Sequence, residues 1–422
     1  MNTKIQPTTK YKNSPLGLIP GDWEVMTLKD VCLKIQDGNY GGDYPKADEF
    51  IDFGIPFLTS KAIGGSGELI IKKVDYISLE KHNKLKKAHL KLNDILFTNR
   101  GANVGTIGIV DDRIAHGNIG PQLTLLRSNS ERIYFDYLKA AMKSFLVQNQ
   151  VKSQDSGSAM NFFGIGETSK FKLCVPPLPE QKAIADCLST WDKAIEKQNA
   201  LITQKELSKK ALMQQLLSGK KRLKGFSGKW HLKSLEEVAA FRNGKAHENC
   251  IDENGEFKVI NSKFVSTNGT VFKSSNENLC PLFVNEIAMV MSDIPNGRAL
   301  AKCFYVDENN KYTLNQRICA IRANDKTDSK FLYYILNRNV HYLSFDNGVG
   351  QTNLKREEVL ECPLLMPEKE EQTAIANLLQ CADDELQLLK KKLEQLKEQK
   401  KGLMQVLLTG KKRLGIKQTN HK

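Results

Sequence analysis

From Ile375 onward apolar residues recur at Leu379, Ala382, Leu386, Leu389, Leu393, Leu396 and Leu403, in steps that alternate between four and three, with Lys400 in the one remaining seat. That spacing is a heptad seam along one face of a long helix. The positions 191 residues earlier are Ile184, Leu188, Trp191, Ile195, Gln198, Ile202, Lys205, Lys209 and Leu212, so the register is repeated with polar residues at three seats. Both seams are narrow and flanked by Lys, Glu and Gln, so each helix buries its stripe most economically against the other, or against helices of a partner. Polar seats weaken a pair while fixing its register, which favours a specific intramolecular pairing.

Both helices have readable ends. Pro176, Pro177 and Pro179 precede the first, Pro363 and Pro367 the second, and Gly219 and Gly410 stand where a left-handed cap is expected. Each glycine is followed by Lys-Lys-Arg beside the negative end of the helix dipole, where capping, solvation and phosphate contact all remain open roles. Roughly 38 residues between these signals, at about 1.5 Å each, make a rod on the order of 55 Å long. Residues 180–223 recur at 371–414 with no gap and 20 identities in 44 positions, so the element is duplicated.

The stretches ahead of the two helices share a plan. WEVMTLKDVCLKIQDG from Trp23 echoes WHLKSLEEVAAFRNG from Trp230, each predicting a strand, a short helical turn and a Gly-terminated loop. IPFLTSKAI (55–63) echoes FKVINSKFV (257–265), a strand breaking into a polar loop, and residues 94–110 echo 286–306 as hairpins. QLTLLRS (122–128) and RICAIRA (317–323) are strands leading into helices at 135–142 and 331–337. The apolar alternation persists while the loops change, as in a scaffold that carries two different recognition surfaces.

The loops supply candidate readers of DNA. In the first half these are Asn39, Tyr40, Tyr44, Thr59, Lys61, Asn99, Arg100, Asn103 and Asn161. In the second they are Arg242, Asn243, Lys245, Asn261, Lys263, Asn296, Arg298, Gln351, Thr352 and Asn353. Arg and Lys suit guanine edges and phosphates, Asn and Gln suit adenine, and only the set carries weight, because Asn and Ser also populate turns for backbone reasons. A formal net charge of +14 agrees with a polyanionic partner.

Other chemistry is not written here. The nine cysteines form no CxxC pair, and the seven histidines show no metal-ligand spacing, with His82 and His89 reading as a solvated helix face. There is no phosphate-binding G-x-x-x-x-G-K-[ST] loop, and the single Pro-Pro, at Pro176, lacks the flanking residues of an amino-methyltransferase loop. A nuclease-like Glu398-x-Lys400, with Asp383 and Asp384 upstream, lies on the second rod without a pocket for a metal. With no signal peptide or apolar span, the chain is expected to be cytoplasmic and not membrane-bound.

The openings Glu180-Gln181 with Ala183-Ile184-Ala185 and Glu371-Gln372 with Ala374-Ile375-Ala376, together with two Gly-Lys-Lys-Arg-Leu ends, resemble the DNA specificity subunit of type I restriction-modification systems. The resemblance covers nearly the whole chain, and the entry YKNSPLGLIPGDW (11–23) is also similar. It implies a mixed α/β (α+β) chain of two target recognition domains, each followed by a long helix, the helices pairing as an antiparallel coiled coil with a pseudo-twofold repeat. The expected domains are 1–175 and 220–362 for recognition, 176–219 and 363–414 for the helices, and a disordered tail at 415–422. The resemblance further implies binding of double-stranded DNA, docking of two methyltransferase subunits on the helices through Ile184, Leu188, Trp191, Ile195, Ile375, Leu379, Leu386 and Leu393, and restriction subunits in the full complex. It implies no catalytic residues, metal or cofactor in this chain, with S-adenosylmethionine, ATP and Mg on the partners. A duplicated coiled-coil scaffold that touches no DNA is the alternative. One departure from the pattern, Glu368-Lys369-Glu370 in place of the proline before Glu180, predicts a looser start to the second helix.

Overall fold

The computed structural model describes residues 10–101, 103–153, 162–294 and 297–414. The chain forms two compact units, one of residues 1–198 with 392–422 and one of residues 199–391. Each contains a globular segment together with part of both long helices.

In the first unit an antiparallel four-stranded sheet runs in the order Cys32–Asp37, Leu123–Ser128, Ile95–Thr98, Ile107–Ile109. Ile95–Thr98 is buried along its whole length, and the pleat explains why its sequence shows no polar alternation. Ile95 and Phe97 face one core, with Trp23, Tyr137 and Phe171, while Leu96 faces another, with Leu58, Ile63 and Ile119. A strand covered on both faces reads as a continuous apolar run. A second, mixed sheet orders Asn118–Ile119, Ile55–Leu58, Asp75–Ile77 and Phe50–Ile51, and Lys172–Val175 pairs with Glu24–Thr27.

The second unit repeats this plan. Its main sheet orders Ala239–Asn243, Ile318–Ala323, Ile287–Val290 and Cys303–Tyr305. The central strand Ile287–Val290 again divides its side chains between two cores. The predicted loop after Phe257–Ile260 is instead a short helix, Ser262–Ser266, because Asn261 caps it by accepting from the Phe264 amide at 2.9 Å.

The long helices span Leu178–Leu217 and Lys369–Leu407. They stop as the glycines require. Gly219 and Gly410 both have φ of +70°, and the Lys221 and Lys412 amides close the C-terminal turns on Gln215 and Val406 at 3.1 and 3.0 Å. Every seam residue from Ile184 to Leu212 and from Ile375 to Leu403 is buried or half-buried. Within the first unit Lys400 pairs with Asp192 at 2.5 Å. Within the second Lys205 pairs with Glu385 at 2.6 Å and Lys209 with Asp383. Numbering falls on one helix as it rises on the other, so the segments are antiparallel in each unit.

The buried ends of the helices explain the repeated signature. Glu180 accepts from Trp23 Nε1 at 3.0 Å and from Arg413 Nε and Nη2, both at 2.6 Å, and Asp22 takes the rest of that guanidinium at 2.9 Å. Burial opposes the charge of Arg413, but the hydrogen bonds to Glu180 and Asp22 outweigh it and hold the guanidinium protonated. Glutamate and arginine 191 positions away exchange roles in the second unit, where Glu371 accepts from Trp230 at 3.1 Å and from Arg222 Nε and Nη2 at 2.7 Å. Gln181 accepts from the Tyr134 amide and donates to Pro176, as Gln372 does with Asp328 and Pro367. The start of the second helix is therefore held like the first, contrary to the expectation from its missing proline, because the glutamate and glutamine rather than the proline fasten it.

Candidate nucleic-acid interface

In both units the main sheet ends in a group of polar side chains. Strand Cys32–Asp37 leads into Gly38, where a Cβ would lie 2.1 Å from the Gly120 carbonyl oxygen, and Gly244 meets Asn315 at 2.0 Å in the same way. Only glycine allows that approach. Asp37 then accepts from Thr124 Oγ1 at 2.6 Å and from Asn99 Nδ2 at 3.3 Å, and Asn99 Nδ2 also lies 2.9 Å from Thr124 Oγ1. Burial pushes the Asp37 carboxyl up, with those two hydrogen bonds opposing it.

Around this group Thr98 Oγ1, Asn99 Oδ1, Arg100 Nε and Gln122 Oε1 are buried with no hydrogen-bond partner among the described residues. They are neighbours, since the Asn99 amide donates to the Gln122 carbonyl at 3.0 Å. Each such atom costs about 1–3 kcal/mol, and four together at one sheet end mark a place built for something other than stability. The Arg100 guanidinium lies over the Phe162 ring at 4.3 Å.

The second unit fills the same end differently. Ser292–Asp293 pairs with Thr352–Asn353, and Gln351 Nε2 donates to Ser292 Oγ at 2.6 Å and to Asn353 Oδ1 at 3.2 Å. Asp293 Oδ2 accepts from the amides of Ala299 and Leu300 at 2.6 and 3.0 Å.

The other candidate readers are dispersed. Asn39 is buried and its Nδ2 lies 3.4 Å from the Ile119 carbonyl, while Tyr40 is exposed beneath Lys87 Nζ, 4.5 Å from its ring centre. Tyr44 packs edge-on against Phe57, Thr59 is buried at the start of a 3-10 turn, and Lys61 pairs with Asp75 at 2.7 Å. Asn103 is exposed, and Asn161 and Asn296 lie outside the described residues. Arg242 is committed to the Pro281 carbonyl at 2.9 Å and to Glu286 at 3.1 Å, a carboxylate it shares with Arg322. Asn243, Lys245, Lys263, Arg298 and Asn353 are exposed, Thr352 is buried in its ladder, and Asn261 serves as the cap described above.

Asp37, Gln122, Thr124 and Phe162 join the first group without having stood out in the sequence. Gln122 opens the strand-forming run QLTLLRS and Thr124 sits inside it, so each read as part of a strand. His82 and His89 are a correction: they are half-buried and stacked, with ring centres 4.1 Å apart, His82 bonded to Asn118 and His89 to the His82 carbonyl at 3.1 Å. The helix from Leu79 ends at Lys84, so the lysine-rich run folds back and brings the two rings together.

Of the residues expected to dock partners, Ile184 and Leu188 lie in the first unit's core with Leu407 and Leu408, and Ile375 and Leu379 in the second's with Leu216. Trp191 and Ile195 are half-buried, and Leu386 and Leu393 are buried. No helix among the described residues is long and apolar enough to cross a membrane.

The chain matches the family model for the type I restriction modification DNA specificity domain twice, over residues 20–204 and 227–398. It is 28% identical to the putative type I restriction enzyme MjaX specificity subunit of Methanocaldococcus jannaschii, across 96% of this chain and 97% of that protein. Two solved structures share its fold. One, from work on complex assembly and conformational transition of the type I R-M system, has a TM-score of 0.62 at 15% identity and covers 93% of this chain and 99% of the other. The second, the type I restriction-modification S subunit from M. genitalium, has a TM-score of 0.53 at 16% identity, with coverage of 97% and 99%. Two family domains on two copies of one α/β plan, each tied to a long helix, place this chain in the type I restriction-modification specificity family, as a non-catalytic specificity subunit with two target recognition domains.

Proposed function

We propose that each unit reads one half of a split, asymmetric double-stranded DNA sequence through the polar end of its main sheet. The reading rests on one observation: the two sheets share strand order and glycine approach, yet end in different side chains. In the first unit Asn99, Arg100 and Gln122 are residue types that read base edges in the major groove, and each holds a buried polar atom with no partner among the described residues. In the second, Gln351, Asn353 and the exposed Arg298 occupy the corresponding region. Exposed lysines such as Lys61, Lys245 and Lys263 would position the phosphates.

Two methyltransferase subunits dock on the flanks of the long helices that face away from the seam, since the seam residues are used within the chain. S-adenosylmethionine and base flipping belong to those subunits, and ATP and Mg to restriction subunits that join them, all in the cytoplasm. Changing Arg100→Ala should relax specificity at one half-site, read by sequencing methylated DNA from cells carrying the variant with its methyltransferase. A substitution in the first unit that altered both half-sites would contradict the division of labour. The helices would set the gap between half-sites, so inserting four residues, about one helical turn, into the 191–205 stretch should lengthen it with both half-sites kept. Methylation at the original gap would end the ruler idea.

A further inference from the structure

The segment Leu79–Asn93 carries five lysines, whereas its counterpart in the second unit, Asn276–Asn285, carries none. The correspondence is fixed by the ends: each segment follows a matching strand, Asp75–Ile77 or Lys273–Ser275, and Asn93 and Asn285 both adopt left-handed φ, +68° and +71°, their amides donating to Val110 and Val306 at 3.0 and 3.1 Å. Two of the five charges are neutralised locally, Lys81 by Glu49 at 2.8 Å and Lys84 by Glu80 at 2.7 Å. Among the described residues no ion pair engages Lys86, Lys87 or Lys91, and all three are exposed.

These lysines are anchored along the edge strand that leads to the candidate reading end. Lys34, on the edge strand Cys32–Asp37, donates from Nζ to the Lys87 carbonyl at 2.6 Å, and Lys87 Nζ in turn lies over Tyr40. The stacked His82 and His89 and the Asn118 bond to the Leu85 carbonyl at 3.1 Å brace the same segment from beneath. The nearby carboxylate Asp94 is spent on Arg127, at 2.7 Å, and is buried. Burial lowers the Lys34 ammonium, and the charges of Arg127 and Lys91 lower it further, so positive charge is crowded here beyond what Asp94 offsets.

We infer that Lys34, Lys86, Lys87 and Lys91, with Tyr40, form a ridge that grips the sugar-phosphate backbone of DNA at the first half-site, giving this unit a sequence-independent hold that the corresponding segment of the second unit lacks. The inference rests on the DNA-reading function proposed above. Phosphates relieve the crowding, and their neutralisation releases counterions, so the ridge makes affinity depend on salt without carrying sequence information. Tyr40 offers its hydroxyl to the same backbone.

The test compares the full chain, with its methyltransferase, against K86Q/K87Q/K91Q for binding to a short duplex of arbitrary sequence, over KCl from about 50 to 200 mM. The variant is expected to flatten the slope of log affinity against log salt by about 2–3. K86R/K87R/K91R should restore the slope, and the methylated motif in cells should be unchanged. A glutamine variant that melts like the parent yet keeps the parental slope overturns the ridge, and so does one that loses the methyltransferase instead, which would mark a protein-docking surface. If the parent complex binds no duplex at all, the DNA-reading function itself falls, and the ridge with it.

Discussion

The two helix-end clusters use the same residues and differ in depth. In the first unit Arg413 is 10% exposed and shared between Glu180 and Asp22, while in the second Arg222 is 29% exposed and has Glu371 as its one carboxylate among the described residues. Gly410 lies so close to Pro20 that a Cβ would fall 2.3 Å from Cδ, whereas at Gly219 the nearest atom is Trp230 Cε3 at 3.3 Å. One design has been sealed more tightly around the chain's own N-terminal hairpin, where the Tyr11 hydroxyl also donates to the Gly410 carbonyl at 3.1 Å. A repeated sequence thus fixes who pairs with whom, while the surrounding segment sets how much water reaches the pair.

The largest effect should come from Glu180→Ala, which leaves the mostly buried Arg413 with Asp22 and takes the acceptor from the buried Trp23 Nε1, and should cost the first unit about 3–5 kcal/mol. Glu371→Ala should cost clearly less in the second, because water reaches Arg222. Denaturation with hydrogen exchange resolved by unit measures both, and equal losses would erase the distinction. Next, Gly410→Ala should cost about 2–3 kcal/mol through strain and overlap with Pro20, against about 1 kcal/mol for Gly219→Ala. Reversal of that order in thermal melts would mean that the hairpin yields easily.

At the reading ends, Gln351→Ala should weaken discrimination by about 1–3 kcal/mol at the second half-site only, seen as a degenerate position in the methylated motif. The smallest effect concerns His82. Burial holds it below its ordinary value of 6.5, with the Asn118 bond opposing and His89 and His116 adding to the depression. Its unfolded form therefore takes up a proton first, so the first unit should lose stability as pH falls below 6.5 and level off below the folded value. His82→Asn should flatten that slope, and an unchanged slope would assign it to other groups.

The helices, their caps and the succession of strands along the chain were legible because heptads, glycines and pleat alternation are local patterns. Glu180 and Arg413 were each visible as marks of the repeat, but their bond spans most of the chain. An acid opening and a base closing both copies was the available signal, since antiparallel copies must bring those ends together. The polar end of the first sheet was half legible: Asn99 and Arg100 stood in a loop-like run, while Asp37, Gln122 and Thr124 looked like strand residues. Strand position predicts which face a residue takes, but not which strand end it meets.

Because Arg413 completes a cluster begun by Asp22, Trp23 and Glu180, the first unit cannot finish folding on the ribosome until Arg413 has emerged. The second unit, drawn from one unbroken stretch, has all its residues earlier. Synthesis order and folding order are inverted: the domain that is translated first is closed last, and any chain cut short before Arg413 leaves that domain with a buried carboxylate that lacks its cation and marks it as incomplete.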